Sequence, residues 1–221
     1  MTLLETVESF DVAIPATGVS GGRVALPGRL QLPAPATGLV LFAHGSGSSR
    51  SSPRNEFVAS VLHESWIGTL LFDLLTEPEA TDRVNVFDIG LLSERLLAAV
   101  RFVGELEQTR HLPLGAFGAS TGAAAALVAA AREPRLAAGV SRGGRPALAG
   151  RRLRGVRVPT LLVVGGLDAD VLALNEQALA ELDCEKRLAV VPGATHLFDE
   201  PGTLAEAARL AAEWFARHLH E

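Results

Sequence analysis

The chain predicts an α/β fold: a mostly parallel eight-stranded sheet with helices on both faces, in one domain over residues 1–221 and without a large cap. Three observations carry this. Apolar, β-branched runs alternate with helix-forming stretches along the chain, the pattern of a parallel sheet covered on both sides. A G-x-S-x-G pentapeptide, Gly118-Ala119-Ser120-Thr121-Gly122, lies between a strand-like run (Leu112 to Phe117) and a strong helix former (Ala123 to Ala131). An aspartate and then a histidine follow, each just past the end of a later strand-like run.

The elements follow in order. Val7 to Ile14 and Arg23 to Leu32 read as strands joined by the Gly18-to-Gly22 turn, an antiparallel hairpin at the sheet edge. Leu39 to Ala43 is the third strand. A helix over about Pro53 to Trp66 starts on proline, which suits a first helical turn. Gly68 to Leu74 is the fourth strand, and a helix over about Val86 to Gln108 has apolar residues at helical spacing. The strand before the pentapeptide and the helix after it come next, then a strand at Ala137 to Ser141 and a short helix near Ala147 to Leu153. Pro159 to Gly165 and Arg187 to Pro192 are the last strands. Helices over about Val171 to Leu182 and Leu204 to Leu219 flank the second of them. No insertion between the sixth and seventh strands could form a large cap, so the site is expected to be open or covered only by short loops.

Composition bounds the function. The chain has 221 residues and a mass of 23.2 kDa; 48% of it is hydrophobic and 20% charged. A net charge of −5 and a pI near 5.7 argue against general nucleic-acid binding and against an anionic membrane surface. Met1 to Phe10 carries Glu5 and Glu8 and lacks the basic-then-apolar pattern of a signal peptide. The longest apolar run, within Gly122 to Ala131, is too short to span a bilayer. A cytoplasmic protein is expected. The single cysteine, Cys184, excludes an internal disulfide and reads as an ordinary thiol.

The pentapeptide is a nucleophile elbow. A serine on so sharp a turn holds its hydroxyl out at the top of the sheet, beside the N-terminus of the following helix. Serine needs a base: a neutral imidazole takes its proton, and a carboxylate fixes the tautomer of that imidazole. Asp168, after Gly165-Gly166-Leu167, and His196, after Gly193-Ala194-Thr195, supply them. Asp170 is the competing acid, better read as the cap of the next helix. The loop after the third strand, His44-Gly45-Ser46-Gly47-Ser48-Ser49, is placed to give one oxyanion-hole N–H, assigned to Ser46 with Gly47 as the alternative; the backbone N–H of Thr121 gives the other. His44 reads as a residue that fixes this loop.

Other residues have a plainer reading beside a functional one. Arg142, just past the sixth strand, could hold an anionic substrate group, because ligands bind beyond the carboxyl ends of such strands. The alternative is that Arg142 and Arg145 brace loops. Arg50 and Arg54 flank the oxyanion loop and invite a weaker form of the same question. Arg151, Arg152, Arg154 and Arg157 read as a solvated run. His218 and His220 lack the further ligands a metal needs. No metal and no cofactor are expected.

The order Ser, Asp, His is that of the α/β-hydrolases. The chain resembles their dienelactone-hydrolase-like branch along nearly its whole length. The resemblance rests on residues 44–49, the elbow at 118–122, Ser141-Arg142-Gly143-Gly144-Arg145-Pro146, and Gly193-Ala194-Thr195-His196-Leu197-Phe198. It implies a single-domain α/β-hydrolase fold and the triad Ser120, Asp168 and His196. The chain departs from authentic dienelactone hydrolases, which carry cysteine at the elbow and a glutamate near the second strand, where Pro33 to Ala36 offer none. These departures argue against dienelactone as the substrate. The expected activity is hydrolysis of a small carboxylic ester or lactone through an acyl-enzyme on Ser120. A thioesterase or acyltransferase would use the same triad, and a ligand-binding or interaction module with little turnover is the alternative of another class.

Overall fold

The computed structural model describes residues 6–219. The expectation of no leader in Met1 to Phe10 therefore falls partly outside the described residues, and His220 falls wholly outside them.

Eight strands form one sheet: β1 (Val7–Thr17), β2 (Arg23–Pro33), β3 (Gly38–Ala43), β4 (Ile67–Phe72), β5 (Leu114–Ala119), β6 (Leu136–Arg142), β7 (Thr160–Gly165) and β8 (Lys186–Val191). Their spatial order is β1-β2-β4-β3-β5-β6-β7-β8. β1 and β2 make an antiparallel hairpin with Thr17 opposite Arg23, β2 joins β4 antiparallel, and all later pairings are parallel. Strands β3, β4, β5 and β7 are buried at every position, as strands covered on both faces must be.

The helices are α1 (Pro53–Glu64), α2 (Glu77–Ala80), α3 (Arg83–Phe87), α4 (Ile89–Glu105), α5 (Thr121–Ala130), α6 (Ala169–Glu181) and α7 (Thr203–His218), with a 3₁₀ segment at Pro146–Gly155. Helices α1 and α7 bury Val58, Leu62, Ala208, Ala211 and Phe215 with Val40, Phe117 and Val140 on one face of the sheet. Helices α4, α5 and α6 and the 3₁₀ segment bury Leu92, Leu96, Leu127, Leu153 and Ala178 with Leu41, Ala116 and Leu162 on the other. Helix α5 is buried at all ten positions, so its alanines are a packing requirement: it lies between the sheet, α4 and the 3₁₀ segment. Among the described residues no helix is long and apolar enough to cross a membrane.

The sequence reading errs between β4 and α4. It leaves residues 75–85 without structure and starts one long helix at Val86. The chain instead makes the short helices α2 and α3, and α4 begins at Ile89. Asp88 causes the break, since its side chain accepts from Leu91 N–H at 2.9 Å and so caps α4. Thr76 and Glu79 form a reciprocal capping box on α2. This segment positions one wall of the site.

Candidate active site

Strand β5 delivers Ser120 onto a turn with φ 51° and ψ −118°, a region that side-chain-bearing residues rarely adopt. The flanking glycines make the turn sterically feasible. A Cβ on Gly122 would lie 2.1 Å from the Ala43 carbonyl oxygen, and one on Gly118 would lie 2.4 Å from Ala123 Cα. The turn is tied on both sides: Ser120 N–H donates to the Arg142 carbonyl at 3.2 Å, and Arg145 N–H donates to the Ser120 carbonyl at 3.2 Å.

Three strand ends bring the predicted triad together. Ser120 Oγ lies 3.3 Å from His196 Nε2, and His196 Nδ1 lies 2.6 Å from Asp168 Oδ2. With Nδ1 held by the carboxylate, Nε2 of a neutral ring faces the serine as an acceptor. Asp168 occupies the N-cap position of α6, yet its side chain makes no capping bond because it is turned to His196. The expectation that Asp170 caps this helix is therefore wrong. Asp170 lies exposed in the first turn, where its charge suits the helix dipole.

The histidine loop has its own supports. Leu167 N–H donates to the Ala194 carbonyl at 2.9 Å, and the loop passes so close to β7 that a Cβ on Gly165 would meet the Ala194 oxygen at 2.4 Å. Glu200 accepts from the Thr195 N–H at 3.0 Å and the Thr195 hydroxyl at 2.6 Å. The Thr195 hydroxyl, followed by that N–H, holds the Glu200 carboxyl below the usual range. Sequence reasoning missed Glu200. Its only signal was an acid five residues beyond a threonine, a spacing that carries no local pattern.

The oxyanion loop is anchored from β4. His44 Nε2 accepts from Leu74 N–H at 3.1 Å, which puts the ring proton on Nδ1, 3.0 Å from the Gly45 carbonyl. Burial holds this imidazole below its ordinary range, outweighing the Gly45 carbonyl and the Asp73 charge. Asp73 accepts from the Arg50 N–H at 2.7 Å and pairs with the Arg50 guanidinium. His44 thus fixes the loop, as expected, and Arg50 braces it. The Ser46 N–H has a partner that the sequence did not suggest: it donates to Thr121 Oγ1 at 2.9 Å. This bond ties the loop after β3 to the side chain of the first residue of α5.

A pocket of about 460 Å³ opens beside Ser46 and Thr121. Leu74, Leu75, Val86 and Leu92 give it an apolar wall, and Arg50 and Asp73 give it a charged one. It lies between the oxyanion loop and the segment carrying α2 and α3, so those short helices cover one side of the site.

The arginines divide. Arg54 pairs with Asp199 at 3.1 Å, Arg154 with Glu181 at 3.7 Å and Arg157 with Asp183 at 3.5 Å, all of them substantially exposed. Arg145, Arg151 and Arg152 are exposed. Arg142 is buried, with its guanidinium carbon 5.6 Å from the centre of the Phe198 ring. Cys184 is half-buried and remote from the elbow, and burial pushes its thiol up. Among the described residues no group of three or more His, Cys, Asp or Glu side chains could hold a metal ion.

The strand order, the elbow and the Ser–His–Asp chain are those of an α/β-hydrolase. The chain is 51% identical to a dienelactone hydrolase from Anabaena variabilis, with 97% of this chain and 99% of that one covered and a TM-score of 0.91. It therefore belongs to the dienelactone-hydrolase family. An esterase domain from Rhodothermus marinus has the same fold at 21% identity, with 96% of this chain and 99% of that one covered and a TM-score of 0.73. A Mycobacterium tuberculosis protein, provisionally named a phosphoribosyl transferase, is 55% identical over 203 residues, which are 91% of this chain and 46% of that protein. The chain spans about half the length of such curated relatives. No protein-family model matches it.

Proposed function

We propose that this protein is a serine hydrolase that cleaves a small carboxylic ester or lactone through an acyl-enzyme on Ser120. The observation that carries the reading is the continuous chain from Ser120 Oγ to His196 Nε2 at 3.3 Å and from His196 Nδ1 to Asp168 Oδ2 at 2.6 Å, starting from a strained elbow. Ser120 Oγ attacks the carbonyl carbon while its proton passes to His196 Nε2. The new imidazolium is stabilised by Asp168. The carbonyl oxygen becomes an oxyanion held by the N–H groups of Ser46 and Thr121, and it competes with Thr121 Oγ1 for the first of them. Collapse breaks the bond to the alcohol oxygen, which leaves with the proton from His196. Water then gives a proton to His196, attacks the acyl carbon and releases the acid, and Ser120 recovers its proton.

The pocket beside Ser46 and Thr121 suits the acyl group, since its apolar wall lies on the oxyanion side of the serine and its volume suits a small ligand. The esterase names among the structural neighbours agree with this chemistry. The phosphoribosyl-transferase name belongs to relatives of twice this length, and nothing at Ser120 calls for it. The cytoplasm is the proposed location, and the proposed partner is the small-molecule substrate alone.

A fluorophosphonate probe should label the protein at Ser120, and Ser120→Ala should lose both the label and the hydrolysis of short-chain p-nitrophenyl esters. Activity of Ser120→Ala within tenfold of the wild type would remove the proposal. A wild type that neither labels nor turns over esters, thioesters or lactones would favour a binding module instead.

A further inference from the structure

The Thr121 hydroxyl has one role filled and one open. Its Oγ1 accepts from the Ser46 N–H at 2.9 Å, and among the described residues this is the one hydrogen bond it makes. A hydroxyl also has a proton to give. Thr121 is 2% exposed and lies on the wall of the pocket of about 460 Å³, so the open role faces whatever enters that pocket. A buried polar group is expected to find a partner, and here the protein offers the proton none.

The hydroxyl lies at the reacting centre. Thr121 directly follows the nucleophile and opens α5. The loop after β3 packs on the elbow at the same place. A Cβ on Gly45 would lie 3.1 Å from Ser120 Cβ and 3.1 Å from the Ala119 carbonyl oxygen, and one on Gly122 would lie 2.4 Å from the His44 carbonyl oxygen. The peptide bond after Gly45 carries the Ser46 N–H. That donor, the Thr121 hydroxyl and the nucleophile therefore share one small volume.

An oxyanion that takes the Ser46 N–H displaces Thr121 Oγ1 from it. Two oxygens that compete for one N–H both lie within about 3 Å of its nitrogen, on the side of its hydrogen, where a hydroxyl proton can bridge them. Left with lone pairs facing each other they repel. With the hydroxyl proton turned between them they form a charge-assisted O–H···O⁻ bond.

We propose that Thr121 is a catalytic residue through its side chain: the hydroxyl accepts from the Ser46 N–H at rest and becomes a third donor to the oxyanion in the tetrahedral intermediate. This rests on the serine-hydrolase reading of the same site. The proton stays on Oγ1 throughout, and only the direction of the hydrogen bond changes. The substrate carbonyl is a weaker acceptor than the oxyanion, so the contact grows with the transition state and acts on kcat more than on KM.

The experiment compares Thr121→Val, which keeps the shape and removes the hydroxyl, with Thr121→Ser, which keeps the hydroxyl. On p-nitrophenyl butyrate, Thr121→Val should lower kcat by about 10- to 100-fold with KM within about threefold, and Thr121→Ser should stay within about threefold of the wild type in both. An alkyl trifluoromethyl ketone adds to a reactive serine as a hemiketal whose oxygen mimics the oxyanion, and NMR of the adduct against pH reads the pKa of that oxygen. It should rise by about one to two pH units in Thr121→Val and much less in Thr121→Ser. A crystal structure of the wild-type adduct should place Thr121 Oγ1 within about 3 Å of the hemiketal oxygen, a readout that does not depend on any variant folding. A hydroxyl that only fills the hole at rest gives the opposite sign: Thr121→Val frees the Ser46 N–H, kcat/KM rises and the adduct pKa falls. That result, equal losses in Thr121→Val and Thr121→Ser, or an Oγ1 turned away from the hemiketal oxygen overturns the proposal and leaves the hydrolase intact. A wild type that neither forms the adduct nor cleaves an ester removes the serine reading, and this donor with it.

Discussion

Arg95 and Arg142 are the two buried arginines among the described residues, and they have been treated in opposite ways. Arg95 lies on α4 and is 1% exposed; its Nη2 reaches Glu79 Oε1 at 2.6 Å. Glu79 also accepts from Thr76 N–H at 2.9 Å and Val19 N–H at 3.0 Å, so one carboxylate joins the β1–β2 turn, the cap of α2 and the buried cation. Arg142 has an aromatic face, and no carboxylate among the described residues pairs with it; its Nε and Nη1, like those of Arg95, are buried without a hydrogen-bond partner. Where a buried charge serves the scaffold, the scaffold supplies its counter-charge. Arg142, packed on Phe198 just past His196, has no such pair among the described residues. Both arginines are invisible to hydropathy; what distinguishes them is the partner.

The largest expected effect separates chemistry from scaffold. Asp168→Asn should lower kcat by about 10³- to 10⁴-fold, because the amide imposes the wrong tautomer on His196. Its unfolding midpoint should stay near that of the wild type, since Asp168 makes no capping bond. If Asp170→Asn proved the more damaging change, the acid would have been misassigned.

The brace should show the reverse. Glu79→Ala strands Arg95 without its carboxylate and should cost about 3–5 kcal/mol, read as a lower urea midpoint. The activity of the folded fraction should change little, provided α2 keeps its place on the pocket wall. Arg142→Met removes a buried cation that loses only the face of Phe198. It should be neutral or stabilising by about 1 kcal/mol. A loss as large as that of Glu79→Ala would show that Arg142 is scaffold too, and the comparison would fail.

The same contrast explains what the sequence could tell. Ser120, Asp168 and His196 were legible because each sits where an apolar run ends in a glycine-containing turn, a local pattern. The hairpin, the parallel strands and the helices on both faces were legible from periodicity. The apolar run from Leu112 predicts β5 two residues early: Pro113 has no N–H to give the ladder, and the strand starts at Leu114. The segment between β4 and α4 was not read, although Thr76-Glu77-Pro78-Glu79 carries a capping-box signature. What holds it is the pair of Glu79 with Arg95, sixteen residues on, and the N–H of Val19, sixty residues back, neither of which a local pattern contains. The solitude of Arg142 is likewise a property of three-dimensional neighbours. Sequence offered it as an anion ligand or a loop brace, and could not say that no described residue would pair with it.

The smallest effects come with pH, and they sharpen the comparison because Arg142 does not titrate in the acid range. His44 and His63 are both held below their ordinary pKa, His44 chiefly by burial and His63 by burial alone. A group whose folded pKa is depressed contributes stability above its unfolded value, and that contribution is lost as pH falls through the folded one. Their share should be intact above about pH 6.5 and decline below it, by at most about 1.4 kcal/mol per pH unit for each proton taken up. Glu79 acts lower. Burial alone would raise its pKa, but the N–H groups of Thr76 and Val19 and the Arg95 charge outweigh it, so the net direction is down. Its contribution is present above about pH 4.5 and lost below. Urea unfolding of the wild type should therefore show two acid steps, and Glu79→Ala should flatten only the lower one. His44→Gln should flatten part of the upper one. It should also lower kcat modestly at every pH, because the Leu74 N–H then depends on a less well placed acceptor and the oxyanion loop loosens. An upper step unchanged in His44→Gln would assign that proton uptake to His63 and leave the anchoring of the oxyanion loop to Arg50 and Asp73.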